Sequence, residues 1–214
     1  LTMRDDMSGA ACILGVMSKL KEFSPSIEVH GIIAACENMI GPNAYKPGDI
    51  LRAKNGKTIE IDNTDAEGRV TLADALCYAC ELNVDEVIDI ATLTGACMVA
   101  LGTHASGIMG NNKDLVNRLI QVGAKSGERY WEMPMFEEYF DSMKSEIADM
   151  KNTGSRWGGT SAAGLFLQNF VTDNVKWAHL DVAGTAFIEK PQKEFIAGAT
   201  GVGVRTLLNY IIEA

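Results

Sequence analysis

The amino-acid sequence predicts an α/β fold of three layers, with a central mixed, mostly parallel sheet and helices on both faces. Short apolar runs typical of buried strands alternate with helical patterns along the chain. Of the 214 residues, 47% are hydrophobic, which is enough for a compact core. Glycine-rich turns such as Thr94-Gly95 and Ala183-Gly184 follow predicted strands, at the edge where open α/β sheets bind ligands. We therefore predict a single domain over residues 1–214.

The predicted elements follow from periodicity and from turn residues. Helical patterns cover residues 7–22, 71–81, 113–125, 135–143, 160–172 and 204–212. Apolar runs predict buried strands at 27–35, 86–91 and 177–182. Shorter strands at 50–53 and 58–61 flank Asn55-Gly56, a dipeptide that strongly favours a hairpin turn. Residues 38–48 contain two prolines and two glycines, which predicts a loop.

The composition limits the partners that can be expected. A net charge of -9 repels phosphate backbones, so nucleic acid is not an expected partner. The same charge could attract the cationic amino termini of peptides, or it could serve solubility alone. No apolar stretch reaches the ~18 residues that span a membrane, so no membrane partner is expected.

Cysteines and histidines narrow the function further. The five cysteines are an odd number and lie in apolar segments, which predicts reduced, buried thiols and a cytoplasmic location. Cys77 and Cys80 form a lone CxxC with no second pair, so a zinc ribbon is not expected. His30 and His179 lie in predicted apolar strands, where a core histidine is favoured over a metal ligand. The sequence contains no serine-hydrolase elbow and no phosphate-binding loop.

The segment from Asn63 to Arg69 (NTDAEGR) carries the strongest chemical signal. It lies between a predicted strand and a predicted helix, and on an extended backbone Asn63, Asp65, Glu67 and Arg69 would share one face. Converging carboxylates repel one another unless a cation lies between them, and divalent metal ions meet that need. Arg69, next to the predicted helix N-terminus, could bind an anion. The alternative is a solvated turn with charged surface side chains.

Asp6 is a second candidate ligand. It lies beside the predicted N-terminus of the first helix, where a carboxylate can also act as a cap or interact with the helix dipole. From this position alone, capping is the favoured interpretation.

Several segments resemble motifs of the leucyl (cytosol) aminopeptidase family. The most specific is NTDAEGR at residues 63–69, and the resemblance runs from Leu1 to Ala214. The other matching segments are 3–11, 36–39, 46–49, 52–58, 91–96 and 177–181.

The resemblance implies an enzyme that removes amino-terminal residues from peptides, with a leucine-type preference and two divalent metal ions of the zinc or manganese type, possibly magnesium. By motif matching, Asp65 and Glu67 are implied as metal ligands, with Glu67 bridging the ions, and Asp6 as a ligand of the more exchangeable ion. Arg69 is implied to hold a bicarbonate that helps deprotonate the attacking water. The implied substrate contacts are Met3, Asn63, Thr92, Leu93, Gly95 and Ala186.

The sequence also departs from the family pattern. Family members carry, upstream of the motif at residues 3–11, a segment with a metal-binding lysine, a bridging aspartate and a second lysine, and this sequence does not include it. We therefore expect a catalytic domain that is incomplete at its N-terminus. The chain alone could be inactive for this reason. The competing hypothesis is a non-catalytic assembly or interaction fragment.

The resemblance also implies a homohexamer in the intact enzyme. Apolar residues near Trp131 and Trp157 could lie at a subunit interface or could cover the domain's own core. This group consists of Trp131, Met133, Met135, Phe136 and Trp157.

Overall fold

The computed structural model describes residues 3–191 and 195–213. The chain forms two compact units. The first unit takes in the chain up to residue 32, residues 88–133, and the chain from residue 176 onwards, whereas the second takes in residues 33–87 and 134–175.

Six α-helices and nine strands make up the regular structure of the described residues. The helices are α1 (Ser8–Phe23), α2 (Glu67–Glu81), α3 (Gly95–Leu101), α4 (Lys113–Lys125), α5 (Gly159–Gln168) and α6 (Val204–Ile212). The strands are β1 (Ile50–Arg52), β2 (Thr58–Glu60), β3 (Glu86–Ala91), β4 (Ser106–Gly110), β5 (Tyr130–Glu132), β6 (Met150–Lys151), β7 (Lys176–Asp181), β8 (Phe187–Ile188) and β9 (Gly198–Ala199). Short 3₁₀ helices occur at Asp5–Met7, Thr64–Ala66 and Glu137–Met143.

The sheet of the first unit has the strand order β3-β7-β4-β5 and is mixed. Strand β4 pairs in parallel with β5 and antiparallel with β7. Side chains alternate along β7, so that Ala178 and Leu180 enter the core built on α1, α4 and α6. On the opposite side of β4, Gly107 lies against Cys97 of α3. The predicted α/β class, with helices on both faces of a mixed sheet, is therefore confirmed.

Helix α1 approaches strand β3 very closely. A Cβ atom at Gly9 would lie 2.0 Å from the carbonyl oxygen of Ile90, so only glycine fits at this crossing. Cys12 and Val16, further along the helix, are buried in the core of the same unit. The position of α1 on the sheet is thus set by Gly9, which allows the close approach, and by the apolar side chains of Cys12 and Val16, which pack in the core.

The second unit contains a three-stranded sheet of order β1-β2-β6. Strands β1 and β2 form the predicted hairpin, with Ile50 opposite Glu60, and Gly56 takes a φ of 88° in its turn. Strand β6 pairs in parallel with β2. The carboxylate of Asp149 accepts hydrogen bonds from both the amide and the hydroxyl of Thr58 at 2.7 Å, which joins these two strands side by side.

Most predicted elements are present, but three predictions are wrong. Residues 27–35 form no strand, and of these only Val29 and Ile32 are even half-buried. His30 is correspondingly exposed, with its Nε2 3.0 Å from Glu28 Oε1. Cys36 is exposed rather than buried, although the other four thiols are buried and all five are free. All three errors have the same source: the prediction assumed that the apolar run at 27–35 pairs with a neighbouring strand and is thereby buried.

No helix within the described ranges has both the length and the apolar character needed to cross a membrane.

Candidate metal and peptide site

The acidic segment at residues 62–69 is not extended as predicted. Asn63 has an extended backbone, with φ -138° and ψ 121°, and its side-chain oxygen accepts a hydrogen bond from the Asp65 amide at 2.9 Å. This cap starts the 3₁₀ turn Thr64–Ala66, and α2 follows directly from Glu67. The alternation that would place every second side chain on one face is therefore wrong.

The charged residues of this segment lie at the start of α2. Asp65 is exposed, while Glu67 and Arg69 are half-buried. Arg69 lies inside the first turn of the helix and not before it, and its Nη1 donates to the carbonyl oxygen of Asn152 at 2.9 Å. A carboxylate in the first turn of a helix is favoured by the helix dipole, and Glu67 is the acidic residue in the first turn of α2.

The phenol of Tyr45 contacts this segment, and its pKa is affected by the charge of Glu67. Its hydroxyl donates to the carbonyl oxygen of Thr64 at 3.5 Å. Burial, and then the negative charge of Glu67, raise the pKa of the Tyr45 phenol. The raised pKa keeps the Tyr45 phenol neutral over a wider pH range than a free tyrosine.

Asp6 belongs to the first unit, where it meets Thr92. The Thr92 hydroxyl donates to both the backbone oxygen of Asp6, at 3.0 Å, and its carboxylate Oδ1, at 3.1 Å. The N-cap position of α1 is Met7, and no side-chain cap bond is formed there. Asp6 is therefore not the N-cap residue of α1, and its hydrogen bonds join a proposed ligand to a proposed substrate contact.

The turn from Leu93 to Gly95 is held by a buried carboxylate. Asp181, which is 0% exposed, accepts hydrogen bonds from the amides of Leu93 at 3.2 Å and Thr94 at 3.4 Å. It also accepts from the Thr94 hydroxyl at 2.7 Å. Burial raises the pKa of Asp181, against the opposing effect of the nearby His179. Gly95, at the end of this turn, is the first residue of α3 and is exposed.

His179 is a core histidine, as predicted. It is 0% exposed, and its Nδ1 lies 2.5 Å from Asp89 Oδ1. The other oxygen of Asp89 accepts from the indole Nε1 of Trp177 at 2.6 Å. Two residues on the face of β7 opposite Ala178 and Leu180, namely Trp177 and His179, thus both bond to Asp89.

The remaining proposed substrate contacts differ in accessibility. Met3 is 71% exposed and Asn63 is exposed. Ala186 is only 2% exposed and lies in the hydrophobic core of the first unit. Thr92, Leu93 and Gly95 are therefore the substrate candidates that the structure groups together.

The proposed metal ligands fall in both units, with Asp6 in the first and Asp65 and Glu67 in the second. Their convergence stays a prediction. Among the described residues, neither unit brings together three or more histidine, cysteine, aspartate or glutamate side chains that could hold a metal ion.

Comparison with known proteins decides the family. A profile described as the cytosol aminopeptidase family, catalytic domain, matches residues 1–208. The chain belongs to this family. It is 53% identical over 210 residues to the "Probable cytosol aminopeptidase" of Gloeobacter violaceus, covering 98% of this chain and 42% of that protein. It is 51% identical over 213 residues to the corresponding protein of Aquifex aeolicus, covering 99% of this chain and 43% of that one.

A solved structure of a tomato leucine aminopeptidase mutant is also similar. It superimposes with a TM-score of 0.95 at 51% identity, covering 99% of this chain and 41% of the tomato chain. The chain therefore spans less than half the length of the cytosol aminopeptidases that it matches.

For a member of this family, the donor chemistry fits a divalent cation. Asp6, Asp65 and Glu67 offer hard carboxylate oxygens, which Zn²⁺, Mn²⁺ and Mg²⁺ accept as ligands. Asp6 and Asp65 are both exposed residues. Because the described residues of neither unit bring three such groups together, Asp6, Asp65 and Glu67 fit as part of a ligand set and not as a whole one.

Two supporting residues of the family domain were not predicted from the sequence. Asp181 holds the Leu93–Gly95 turn, and Asn152 holds the acidic segment. Asp181 ends a predicted strand, which gives a weak signal, since ligand sites lie at strand ends. Asn152 follows β6, a strand of two residues that has no detectable sequence pattern.

Proposed function

We propose that the protein is a metal-dependent aminopeptidase that releases amino-terminal residues from peptides, with a leucine-type preference, and that residues 1–214 form its catalytic domain. The single observation that carries this proposal is membership of the cytosol aminopeptidase family over residues 1–208. The acidic segment at the start of α2 and the turn held by Asp181 would supply part of the chemical groups that such a reaction needs.

We propose Asp6, Asp65 and Glu67 as ligands of two divalent ions, zinc, manganese or magnesium, with Glu67 between them. When bound, such ions polarise a scissile carbonyl and lower the pKa of water. The chain's own part is to present carboxylates at fixed positions. The Asp6 carboxylate accepts a hydrogen bond from the Thr92 hydroxyl at 3.1 Å, and the backbone of Asp65 is held by the hydrogen bond that its amide donates to Asn63 Oδ1 at 2.9 Å.

We propose that Arg69 binds an anion, namely bicarbonate. Its Nη1 is anchored on the Asn152 carbonyl, which fixes the guanidinium in the first turn of α2. The positive end of a helix dipole and a guanidinium both favour negative charge. A bicarbonate at this position could accept the proton that an attacking water releases.

We propose that the substrate lies along the Leu93–Gly95 turn, with Thr92, Met3 and Asn63 as further contacts. The backbone of the turn is fixed by Asp181, so its remaining polar groups are preorganised for an extended peptide. Ala186 is also proposed as part of the substrate pocket. Because it is buried, it would support the pocket from behind and would not touch the peptide directly.

The proposal is tested by hydrolysis of leucine p-nitroanilide with and without added Mn²⁺, using protein made from the complete coding sequence and, in parallel, the chain alone. Asp65→Asn and Glu67→Gln should lower kcat/KM by more than about 100-fold. Asp173→Asn is the matched control, since Asp173 is an exposed carboxylate of the same unit. Equal activity in the presence of a strong chelator, or in the Asp65→Asn variant, would contradict the proposal.

An assembly or interaction role for the chain is the second candidate. Trp131, Phe136 and Trp157 are 67%, 63% and 75% exposed, so they do not cover the core of their own unit. Large exposed apolar side chains are typical of interfaces, and we propose a homo-oligomer, a hexamer in the intact enzyme. Light scattering of the chain tests this: a monomer at every concentration would exclude self-assembly. The names of the relatives support a cytosolic location.

A further inference from the structure

Asn152 contacts the acidic segment at several points. The residue is 0% exposed and directly follows β6. Its Oδ1 accepts hydrogen bonds from the amides of Asp62, at 2.9 Å, and Asn63, at 3.2 Å. Its Nδ2 donates to the carbonyl oxygens of Asn63, at 2.6 Å, and Ala66, at 3.5 Å. The side chain therefore spans the whole turn that precedes α2.

The backbone of Asn152 extends this set of contacts in both directions. Its amide donates to the carbonyl oxygen of Glu60, the last residue of β2, at 2.9 Å. Its carbonyl oxygen accepts from Arg69 Nη1 at 2.9 Å. A carboxamide offers two donors and two acceptor sites, and here all of them are used. One residue thus connects the end of a strand, the acidic turn and the proposed anion-binding arginine.

Sheet topology places Asn152 beside the segment. Strands β2 and β6 are parallel, with Glu60 opposite Lys151, so the chain leaves both strands at the same edge of the sheet. Asp62 and Asn152 follow these two residues closely and meet there. The Thr153 hydroxyl adds a bond to the carboxylate of Asp62 at 3.1 Å.

We propose that Asn152 is a positioning residue for the aminopeptidase reaction, acting through Asp65, Glu67 and Arg69. The inference rests on the function proposed above. Reacting groups must be held within about 0.5 Å of their productive geometry, and a fully bonded buried amide can do so. Asn152 acts on Asp65 and Glu67 through the backbone of the turn that carries them, and on Arg69 through its guanidinium.

The polarity of the carboxamide makes the proposal specific. Asn152→Asp keeps the shape but places an oxygen where Nδ2 faced two carbonyl oxygens, so those contacts turn from attractive to repulsive. Asn152→Ser removes the carboxamide without adding charge and leaves room for water. A matched control is Asn169→Asp in the same unit, because Asn169 Nδ2 donates to Leu165 and its Oδ1 accepts from Lys57.

The experiment combines hydrogen exchange with kinetics, in protein made from the complete coding sequence and at a temperature far below unfolding of every variant. Amides of residues 62–66 should exchange at least about 10-fold faster in Asn152→Asp and Asn152→Ser than in wild type or Asn169→Asp. Leucine p-nitroanilide hydrolysis should lose about 10- to 100-fold in kcat in both Asn152 variants, with a smaller change in KM.

Each other outcome has a defined meaning. Unchanged exchange in both Asn152 variants, or equal loosening in Asn169→Asp, would overturn the positioning role. Faster exchange with an unchanged kcat would show that the hydrogen bonds of Asn152 do not affect catalysis, and this result would also overturn the positioning role. If wild type cleaves no peptide, the proposed aminopeptidase function fails, while exchange still decides whether Asn152 holds the segment.

Discussion

The Thr94 hydroxyl donates to the carboxylate of Asp181 at 2.7 Å, between side chains that are 6% and 0% exposed. The same hydroxyl oxygen accepts from the amide of Cys97 at 3.0 Å, where it caps α3. One hydroxyl therefore caps a helix and donates a hydrogen bond to a buried carboxyl group. Since the proposed substrate contacts Leu93 and Gly95 flank Thr94, this pair of bonds sets the shape of the turn.

We predict that Thr94→Val lowers the free energy of unfolding by about 2 kcal/mol or more, because it removes a helix cap and leaves an acceptor of Asp181 without its hydroxyl donor. Thr94→Ser keeps the hydroxyl and should cost less than about 1 kcal/mol. Urea denaturation of both variants is the measurement. Equal stability of the two variants would mean that the hydroxyl contributes nothing.

Asp181 should make stability fall as pH rises. Burial raises its pKa in the folded state above the ordinary value of about 3.9. The folded protein therefore binds the Asp181 proton more tightly than the unfolded chain does, which favours folding at low pH. This advantage is lost as pH rises from about 3.9 through the raised pKa.

The comparison that isolates this effect is wild type against Asp181→Asn, since the amide does not titrate. The difference in unfolding free energy, wild type minus variant, should decrease as pH rises above about 3.9. Asp114→Asn, which alters an exposed carboxylate at the start of α4, should show no comparable decrease. A difference that is constant or increases with pH would contradict the raised pKa.

We predict opposite outcomes for two glycines of α1. Gly9→Ala should destabilise by at least about 2 kcal/mol, because its Cβ would lie 2.0 Å from the Ile90 carbonyl oxygen, which is backbone and cannot yield. Gly15→Ala meets only the two side-chain methyl groups of Val204, at 3.2 and 3.6 Å, and gains helix propensity. Its stability should change by less than about 1 kcal/mol. Thermal unfolding decides, and similar losses in both variants would refute the close crossing.

Lys57 and Lys54 form a second matched pair, on the hairpin of the second unit. Lys57 Nζ donates to the carbonyl and side-chain oxygens of Asn169, at 3.0 and 2.9 Å, just after the C-terminus of α5. Lys57→Met should therefore cost about 1–2 kcal/mol. Lys54 forms a more exposed ion pair with Glu81, so Lys54→Met should cost less than about 1 kcal/mol. Urea denaturation showing the reverse order would refute this assignment.

Local signals in the sequence were sufficient where an element is defined by its own residues. The hairpin at Asn55-Gly56 is one case, because its turn geometry depends only on those residues. Helix α4 is another: its bounds agree with the prediction, since Asn112 caps it and an apolar stripe buries Leu115 and Leu119. Such features need no information about distant parts of the chain.

The features that escaped prediction depend on distant partners. Strand β4 (Ser106–Gly110) contains two glycines and is a strand only because β5 and β7 pair with it. The run at 27–35 has a strand-like composition but no strand partner within the described part of the chain. The hydrogen bond between the Asp62 amide and Asn152 Oδ1 depends on the register between β2 and β6, and no local sequence pattern predicts that register.

The failed strand prediction has a chemical consequence at Cys36, the thiol that the sequence placed in a buried segment. Cys36 is exposed, whereas burial raises the pKa of both Cys12 and Cys97 to about 12 and leaves their thiols protonated. Because the thiolate is the reactive form, we predict that Ellman's reagent labels one thiol rapidly in the folded chain and that Cys36→Ser abolishes this phase. Cys80→Ser, at a buried thiol, should retain the rapid phase.

Unfolding in guanidinium should make all five thiols of wild type reactive, which calibrates the number of thiols counted. A folded chain with no rapid thiol, or a rapid phase that survives Cys36→Ser, would show that the segment around Cys36 is covered in solution.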